Sequence, residues 1–120
     1  MTYFQRTKDY IEKLQQLCVD IQTFVEGIEL EEFLDDRRTQ NAVAMSLIAI
    51  GEIVTVINHK DPEFIANNSQ IPWRYMKGMR NVIAHGYFEL DFVVVWETAI
   101  SSIPELQQQL NQIDLDTINK

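Results

Sequence analysis

The chain has 120 residues, enough for a single domain over residues 1–120 with one hydrophobic core. Its apolar fraction of 46% is ordinary for a globular protein, but four glycines and three prolines are too few for the many turns of a β-sandwich or barrel. The single cysteine, Cys18, excludes an intrachain disulfide framework. Because the first residues lack a signal-peptide pattern and no stretch approaches roughly 18 uninterrupted apolar residues, we expect a cytoplasmic protein without membrane contact.

The net charge of −8 disfavours general nucleic-acid binding, since affinity for phosphates comes largely from lysine and arginine. The charge is uneven, however. Residues 72–88 contain no acid and carry a formal charge of +3, which leaves −11 for the rest of the chain. A local surface that attracts anions is therefore compatible with an acidic chain. The basic side chains that we consider as RNA-phosphate contacts, or alternatively as ordinary exposed helix charges, are Arg74, Lys77, Arg37 and Arg38.

The first predicted element is an amphipathic helix over about residues 3–26. Apolar residues recur there at alternating steps of three and four, from Ile11 to Ile28, which is the helical period. Cys18 lies on this stripe and is expected in the core. Gly27 is the expected stop.

A short acidic helical turn follows at residues 29–34, and a second long helix then extends to residues 59–62. Asp35 or Asp36 is placed to cap it. This helix is apolar almost all round, which favours a central position in a bundle. Gly51 inside it costs about 1 kcal/mol relative to alanine, and a close helix contact would explain that cost. His59, near its end, is expected at the surface.

A third helix begins near Pro72, which suits a first helical turn, and ends at Gly86. Asp91 can cap the last helix. Pro104 interrupts that helix and predicts a kink, or a restart with Ser102 as a new cap. Residues 93–95 are β-branched and would suit a strand, but the longer helical pattern around them outweighs this. The predicted fold is an all-α, antiparallel bundle of four to five helices.

Three polar residues near the end of the third helix, Arg80, Asn81 and His85, are the candidate catalytic group. Asn81 and His85 are four residues apart and share a face, whereas Arg80 and His85 are about 140° apart. Histidine can take and give protons, and arginine can hold a phosphate and stabilise a charged transition state. Because RNA carries its own nucleophile, the 2′-hydroxyl, these functions would suffice without a metal. A two-fold dimer would supply the second histidine needed for separate acid and base.

Spacing alone leaves this assignment open, because an arginine and a histidine on a helix are more often structural. The sequence contains no glycine-rich phosphate loop, nucleophile elbow or plausible cluster of metal ligands. We therefore expect no metal and no cofactor.

The surrounding sequence strengthens the assignment. Residues 71–88 read IPWRYMKGMRNVIAHGYF. This string resembles the signature of the HepT-like branch of the HEPN proteins: an arginine, a polar residue, a few mostly apolar residues, then histidine, any residue and tyrosine. Arg80, Asn81, His85 and Tyr87 occupy those places. The segments FLDDRRTQNA at 33–42, IGE at 50–52 and PEL at 104–106 are similar to the family too, so the resemblance extends over roughly residues 5–112.

The resemblance implies an antiparallel helical bundle that forms a homodimer, with the two motifs facing each other across a cleft. Such proteins are typically toxins of prokaryotic toxin–antitoxin pairs with metal-independent ribonuclease activity. Their partner is a minimal nucleotidyltransferase antitoxin, which in HepT-like members can transfer AMP units to the motif tyrosine, here Tyr87. An added phosphodiester would place negative charge and bulk in a site built for phosphate.

Three hypotheses follow from the sequence. In the first, the chain is an RNA-cleaving toxin in which Arg80 holds the phosphate, His85 acts as acid or base, and Asn81 orients His85 or the substrate. In the second, it is a non-catalytic helical interaction module, mainly the partner and modification target of the nucleotidyltransferase at Tyr87. In the third, it is a plain helical dimer in which Arg80 and His85 are structural.

Overall fold

The computed structural model describes residues 6–117, and the predicted start of the first helix near residue 3 lies outside them. The described chain is all-α. The α-helices in chain order are α1 (Thr7–Val25), α2 (Leu30–Leu34), α3 (Arg37–Lys60), α4 (Pro62–Asn67), α5 (Trp73–Gly86), α6 (Phe92–Glu97) and α7 (Ile103–Asn111). Short 3₁₀ turns occupy Tyr87–Glu89 and Leu115–Thr117, and a π-helical turn at Thr98–Ser102 joins α6 to α7. The long elements are therefore α1, α3, α5 and the continuous α6–π–α7 rod, as the bundle prediction requires.

Helix α1 packs its predicted apolar stripe into the core. Ile11, Leu14, Cys18 and Ile21 are all fully buried. Burial raises the pKa of the Cys18 thiol to about 12, because the charged thiolate would lose its hydration. The helix ends at Val25, and Gly27 follows with a φ of +77°, a conformation that glycine adopts without strain.

Helix α3 is the central element and packs against α1, α2, α4 and α5. Of the two predicted caps, Asp36 is the one used: its carboxylate accepts hydrogen bonds from the Thr39 backbone N–H and the Thr39 hydroxyl. These bonds hold the pKa of Asp36 below its usual value. By length and composition α3 could also cross a membrane. In this fold, its buried residues supply the middle of the core.

A short helix, α4, occupies part of the stretch between α3 and α5 where the sequence analysis assigned no element. Its start has an ordinary local signal, because Asp61 accepts a hydrogen bond from the Phe64 backbone N–H and Pro62 takes the first helical position. Asp61 also accepts a hydrogen bond of 2.8 Å from the Thr7 hydroxyl, which fixes the start of α1 beside this corner.

Helices α3 and α5 are antiparallel and approach most closely at Gly51. A Cβ atom at this position would lie 2.1 Å from the Arg80 Cβ and 3.0 Å from the Met76 carbonyl oxygen. Further along, the Tyr87 hydroxyl just beyond α5 bonds Asn41 near the start of α3, so the two helices run in opposite directions. The close helix contact expected from Gly51 is confirmed, and it places the base of the Arg80 side chain directly over α3.

For the last helix, the sequence predicts either a kink at Pro104 or a restart there with Ser102 as a cap. Asp91 caps its start as expected, accepting from the Val93 backbone N–H. The predicted restart capped by Ser102 is wrong, because Ser102 has helical dihedral angles and makes no side-chain capping bond. Instead the backbone N–H of Ile103 bonds the Thr98 carbonyl, five residues back, and the rod continues through a π turn. This wider turn accommodates Pro104, which has no N–H to donate.

The contact at Gly51 predicts that Gly51→Ala destabilises the fold by roughly 1–3 kcal/mol, because the new methyl group overlaps the Arg80 Cβ. Gly78→Ala is the matched control. No atom lies within 4 Å of a Cβ at Gly78, so alanine should stabilise α5 by about 0.5–1 kcal/mol. Urea unfolding of the two variants measures both changes. Equal effects of the two substitutions would contradict the assigned contact.

Candidate active site

The Arg80 guanidinium is held at the surface by two neighbours. Its Nε donates to the Glu52 Oε1 at 2.6 Å, and its Nη2 lies 2.5 Å from the same oxygen. Its Nη1 donates to the Asn81 amide oxygen at 3.2 Å. Since the stem of the side chain crosses Gly51, the arginine is anchored at its base and at its tip.

Glu52 changes the electrostatics inferred from the sequence. Residues 72–88 contain no acid, but α3 brings one directly onto Arg80, so the +3 charge of that segment is partly neutralised in the fold. The pair is partly exposed, with 29% of the Arg80 side chain and 51% of the Glu52 side chain accessible. Such pairs contribute about 0–1 kcal/mol, so a phosphate can compete for the guanidinium at modest cost.

His85 stands apart from this cluster. Helix α5 remains regular through Gly86, so the rotation of about 140° between Arg80 and His85 is retained. The His85 side chain is exposed, and among the described residues it has no hydrogen-bond or ion-pair partner. The amide oxygen of Asn81 bonds Arg80, not His85. One chain therefore brings together Arg80, Asn81 and Glu52 and leaves His85 directed into solvent.

Tyr87 lies immediately after α5 in the 3₁₀ turn and is half-buried. Its hydroxyl donates a hydrogen bond to the Asn41 amide oxygen on α3. Its ring packs edge-to-face against Phe88 and Phe92, with centroids 6.2 and 6.0 Å away. Phe92 packs in turn against the buried Phe33, with centroids 6.4 Å apart. The tyrosine is thus oriented by the core on one side and by Asn41 at its tip.

The four basic residues expected to contact phosphate form two groups. Arg37 and Arg38 are exposed in the first turn of α3, one turn before Asn41 and hence at the Tyr87 end of the motif. Cations in a first helical turn oppose the helix dipole, so their position carries no benefit to the helix itself. Arg74 and Lys77 lie towards the start of α5, beside a surface pocket of about 350 Å³. Lys77 is about 12 Å along the helix from His85.

The sequence analysis missed Glu52 and Asn41 as members of the site. Both lie in segments already noted as familial, residues 50–52 and 33–42, but only the packing of α3 on α5 shows which side chains they meet. Within residues 6–117, no group of three or more His, Cys, Asp or Glu side chains is placed to hold a metal ion.

The exposed pair predicts that Glu52→Gln changes the free energy of unfolding by less than about 1 kcal/mol. The same substitution removes a competing anion, so binding of a polyanion such as heparin should strengthen and depend more steeply on salt. Glu63→Gln, an exposed acid on α4, is the control and should leave both properties unchanged. Weaker heparin binding by Glu52→Gln would mean that Glu52 holds Arg80 in its binding position and does not compete with the anion.

Comparison with known proteins shows which family the chain resembles. The family model described as "Ribonuclease HepT-like" matches residues 8–113. A protein of Caldanaerobacter subterraneus subsp. tengcongensis named "Putative RNase" is 35% identical over 88% of this chain and 92% of its own length. One of Thermococcus cleftensis named "Probable ribonuclease HepT" is 36% identical over 88% of this chain and 94% of its own length.

A further relative, a "Putative RNase" of Methanocaldococcus jannaschii, is 33% identical over 94% of this chain and 91% of its own length. No solved structure matches the chain. The family match covers nearly all of the described fold, including every residue of the cluster around Arg80. The chain therefore belongs to the HepT-like family.

Proposed function

We propose that this chain is a metal-independent ribonuclease that works as a homodimer in the cytoplasm, as the toxin of a prokaryotic toxin–antitoxin pair. The observation that carries the proposal is an arginine fixed across Gly51, with an exposed histidine on the same helix that has no partner among the described residues. A phosphate-binding cation and a free proton carrier on one helix end suit RNA cleavage. The ribonuclease names of the relatives support the same activity.

In the proposed reaction, Arg80 binds the scissile phosphate and His85 takes the proton from the neighbouring 2′-hydroxyl. The 2′-oxygen forms a bond to phosphorus while the bond from phosphorus to the 5′-oxygen breaks. A second histidine donates a proton to that leaving oxygen. The products are a 2′,3′-cyclic phosphate and a 5′-hydroxyl end. Asn81, bonded to Arg80, keeps the guanidinium in place.

The geometry favours a site shared between two copies. Within one chain, the rotation between Arg80 and His85 directs them away from each other, and the proposed reaction uses two histidines. Large apolar side chains are exposed beside the motif: Met45 at 66%, Val82 at 56% and Phe88 completely. Exposed apolar surface of this kind is typical of protein–protein contacts. A two-fold dimer that buries it would bring both motifs to one cleft.

We predict that His85→Ala abolishes cleavage of an end-labelled structured RNA in excess EDTA. The unfolding free energy should change by no more than about 0.5 kcal/mol, because the side chain is exposed. Wild type should leave cyclic phosphate ends. The protein's intact mass is recorded first, so that a modified Tyr87 is not mistaken for an inactive enzyme. His59→Ala, the other exposed histidine, is the matched control and should cleave as wild type does.

Mixing tests the shared site. If the two His85 side chains act in one cleft, a mixed dimer of wild type and His85→Ala keeps only one of them and should lose most of the wild-type activity. Full activity of His85→Ala, or cleavage by wild type that stops in EDTA, would contradict the proposed mechanism.

We also propose that a minimal nucleotidyltransferase neutralises the protein by AMPylating Tyr87. The phenolic oxygen would attack the α-phosphorus of ATP, forming an oxygen–phosphorus bond as pyrophosphate leaves and the phenolic proton is lost. The hydrogen bond to Asn41 supports this proposal, because it fixes the oxygen at the surface end of a packed ring. The added phosphodiester would then repel RNA beside Arg37 and Arg38.

Tyr87→Phe should prevent this modification. We expect wild type, incubated with the nucleotidyltransferase and ATP, to gain a mass equal to one or more AMP units, and Tyr87→Phe to gain none. Tyr75→Phe removes the hydroxyl of another half-exposed tyrosine and should be modified as wild type is. An AMP-sized gain in Tyr87→Phe would place the modification elsewhere.

A non-catalytic interaction module is the second candidate. It is favoured by the Arg80–Glu52 pair, which leaves the guanidinium already occupied in the isolated chain. Its distinguishing outcome is the absence of cleavage by unmodified wild type across several RNAs, with modification of Tyr87 retained.

A further inference from the structure

A surface groove of about 500 Å³ runs between the second half of α1 and the π turn with the start of α7. Val19 and Ile100 stand on its two sides with 41% and 45% of their surface exposed. Ala99 and Pro104 line it between them, and a hydrogen bond from Gln22 to Gln107 joins the two walls. None of the residues around Arg80 and Tyr87 takes part in it.

The two segments that build the groove carry charge of one sign. Residues 14–36 contain seven Asp or Glu and no Lys or Arg, and residues 81–119 contain six acids and again no Lys or Arg. Together they hold 13 of the 18 acids of the chain. Glu26 lines the groove itself, and Asp20, Glu97 and Glu105 lie within one helical turn of its lining residues. This field repels nucleic acid and anionic lipid and attracts cations.

The groove also offers backbone acceptors. Pro104 lies inside a continuous rod but has no N–H, so it cannot donate to the carbonyls of Ile100 or Ala99, the acceptors of an α and a π pattern respectively. The groove therefore combines apolar walls and the Glu26 carboxylate with two backbone carbonyls that receive no hydrogen bond from residue 104. A ligand that fits must supply hydrogen-bond donors, positive charge and apolar side chains together.

We propose that this groove, named here the α1–π groove, docks a basic amphipathic helix of a partner protein. Its apolar stripe would lie against Val19 and Ile100, and its lysines or arginines would meet Glu26 and the neighbouring acids. Exposed apolar side chains ringed by charge of one sign make a recognition surface of this kind. The surface is separate from the proposed catalytic cluster, so partner binding and RNA cleavage can be tested independently.

The test uses a fluorescent synthetic helix with leucines at alternating steps of three and four and lysines elsewhere, titrated into the full chain. Saturable binding that weakens with salt is expected. Ile100→Lys and Glu26→Lys, which place a cation in the groove, should each lower the affinity about tenfold or more. Leu34→Lys and Glu31→Lys make the same changes at exposed positions of α2, outside the groove, and should lower it by about twofold or less.

Three outcomes would overturn the proposal. One is the absence of saturable binding. Another is equal binding of a scrambled peptide of the same composition, which would show charge attraction without a groove. The third is self-association of the peptide-free chain that Ile100→Lys abolishes, which would assign the groove to a second copy. Ribonuclease assays on the same variants keep this test separate, because groove variants should cleave RNA as wild type does.

Discussion

The close approach of α3 and α5 at Gly51 is the constraint on which the candidate site depends. With no side chain at Gly51, the Arg80 stem can cross α3, and the guanidinium then reaches Glu52 on the adjacent position. The same antiparallel contact carries Asn41 to Tyr87, three helical turns away. The packing of α5 on α3 at this glycine thus brings Arg80 to Glu52 and Tyr87, just beyond α5, to Asn41, while His85 between them stays without a partner among the described residues.

Local features of the fold were predictable from the sequence because their causes are local. The cap at Asp91, the stop at Gly27 and the buried stripe of α1 each follow from residues within a few positions. The π turn at Pro104 was not predicted, since a missing N–H can be accommodated by a restart or by a wider turn. Thr98 in the π turn also hydrogen-bonds Tyr75 of α5 at 2.8 Å, a contact between elements that the local sequence does not reveal.

The site was predictable in its members on α5 and not in its partners on α3. Arg80, Asn81, His85 and Tyr87 are close in sequence, whereas Glu52 and Asn41 become neighbours only when α3 packs. The charge of residues 72–88 shows the consequence. Counted along the chain it is uniformly positive, but in the fold its best-placed cation already has a carboxylate. Sequence-local charge therefore overstates the attraction that RNA would meet.

The distribution of charge separates two tasks on one small bundle. Every lysine and arginine in residues 14–119 lies between residues 37 and 80, on α3 and α5, while α1 from residue 14 onward and the α6–π–α7 rod carry acids without lysine or arginine. The Arg80–Glu52 pair joins a cation of α5 to an acid of α3. Because this ion pair is partly exposed, it is weak enough for a phosphate to replace Glu52. An acidic protein can in this way present a phosphate site on one helix pair, provided that the Glu52 carboxylate releases Arg80 when the phosphate binds.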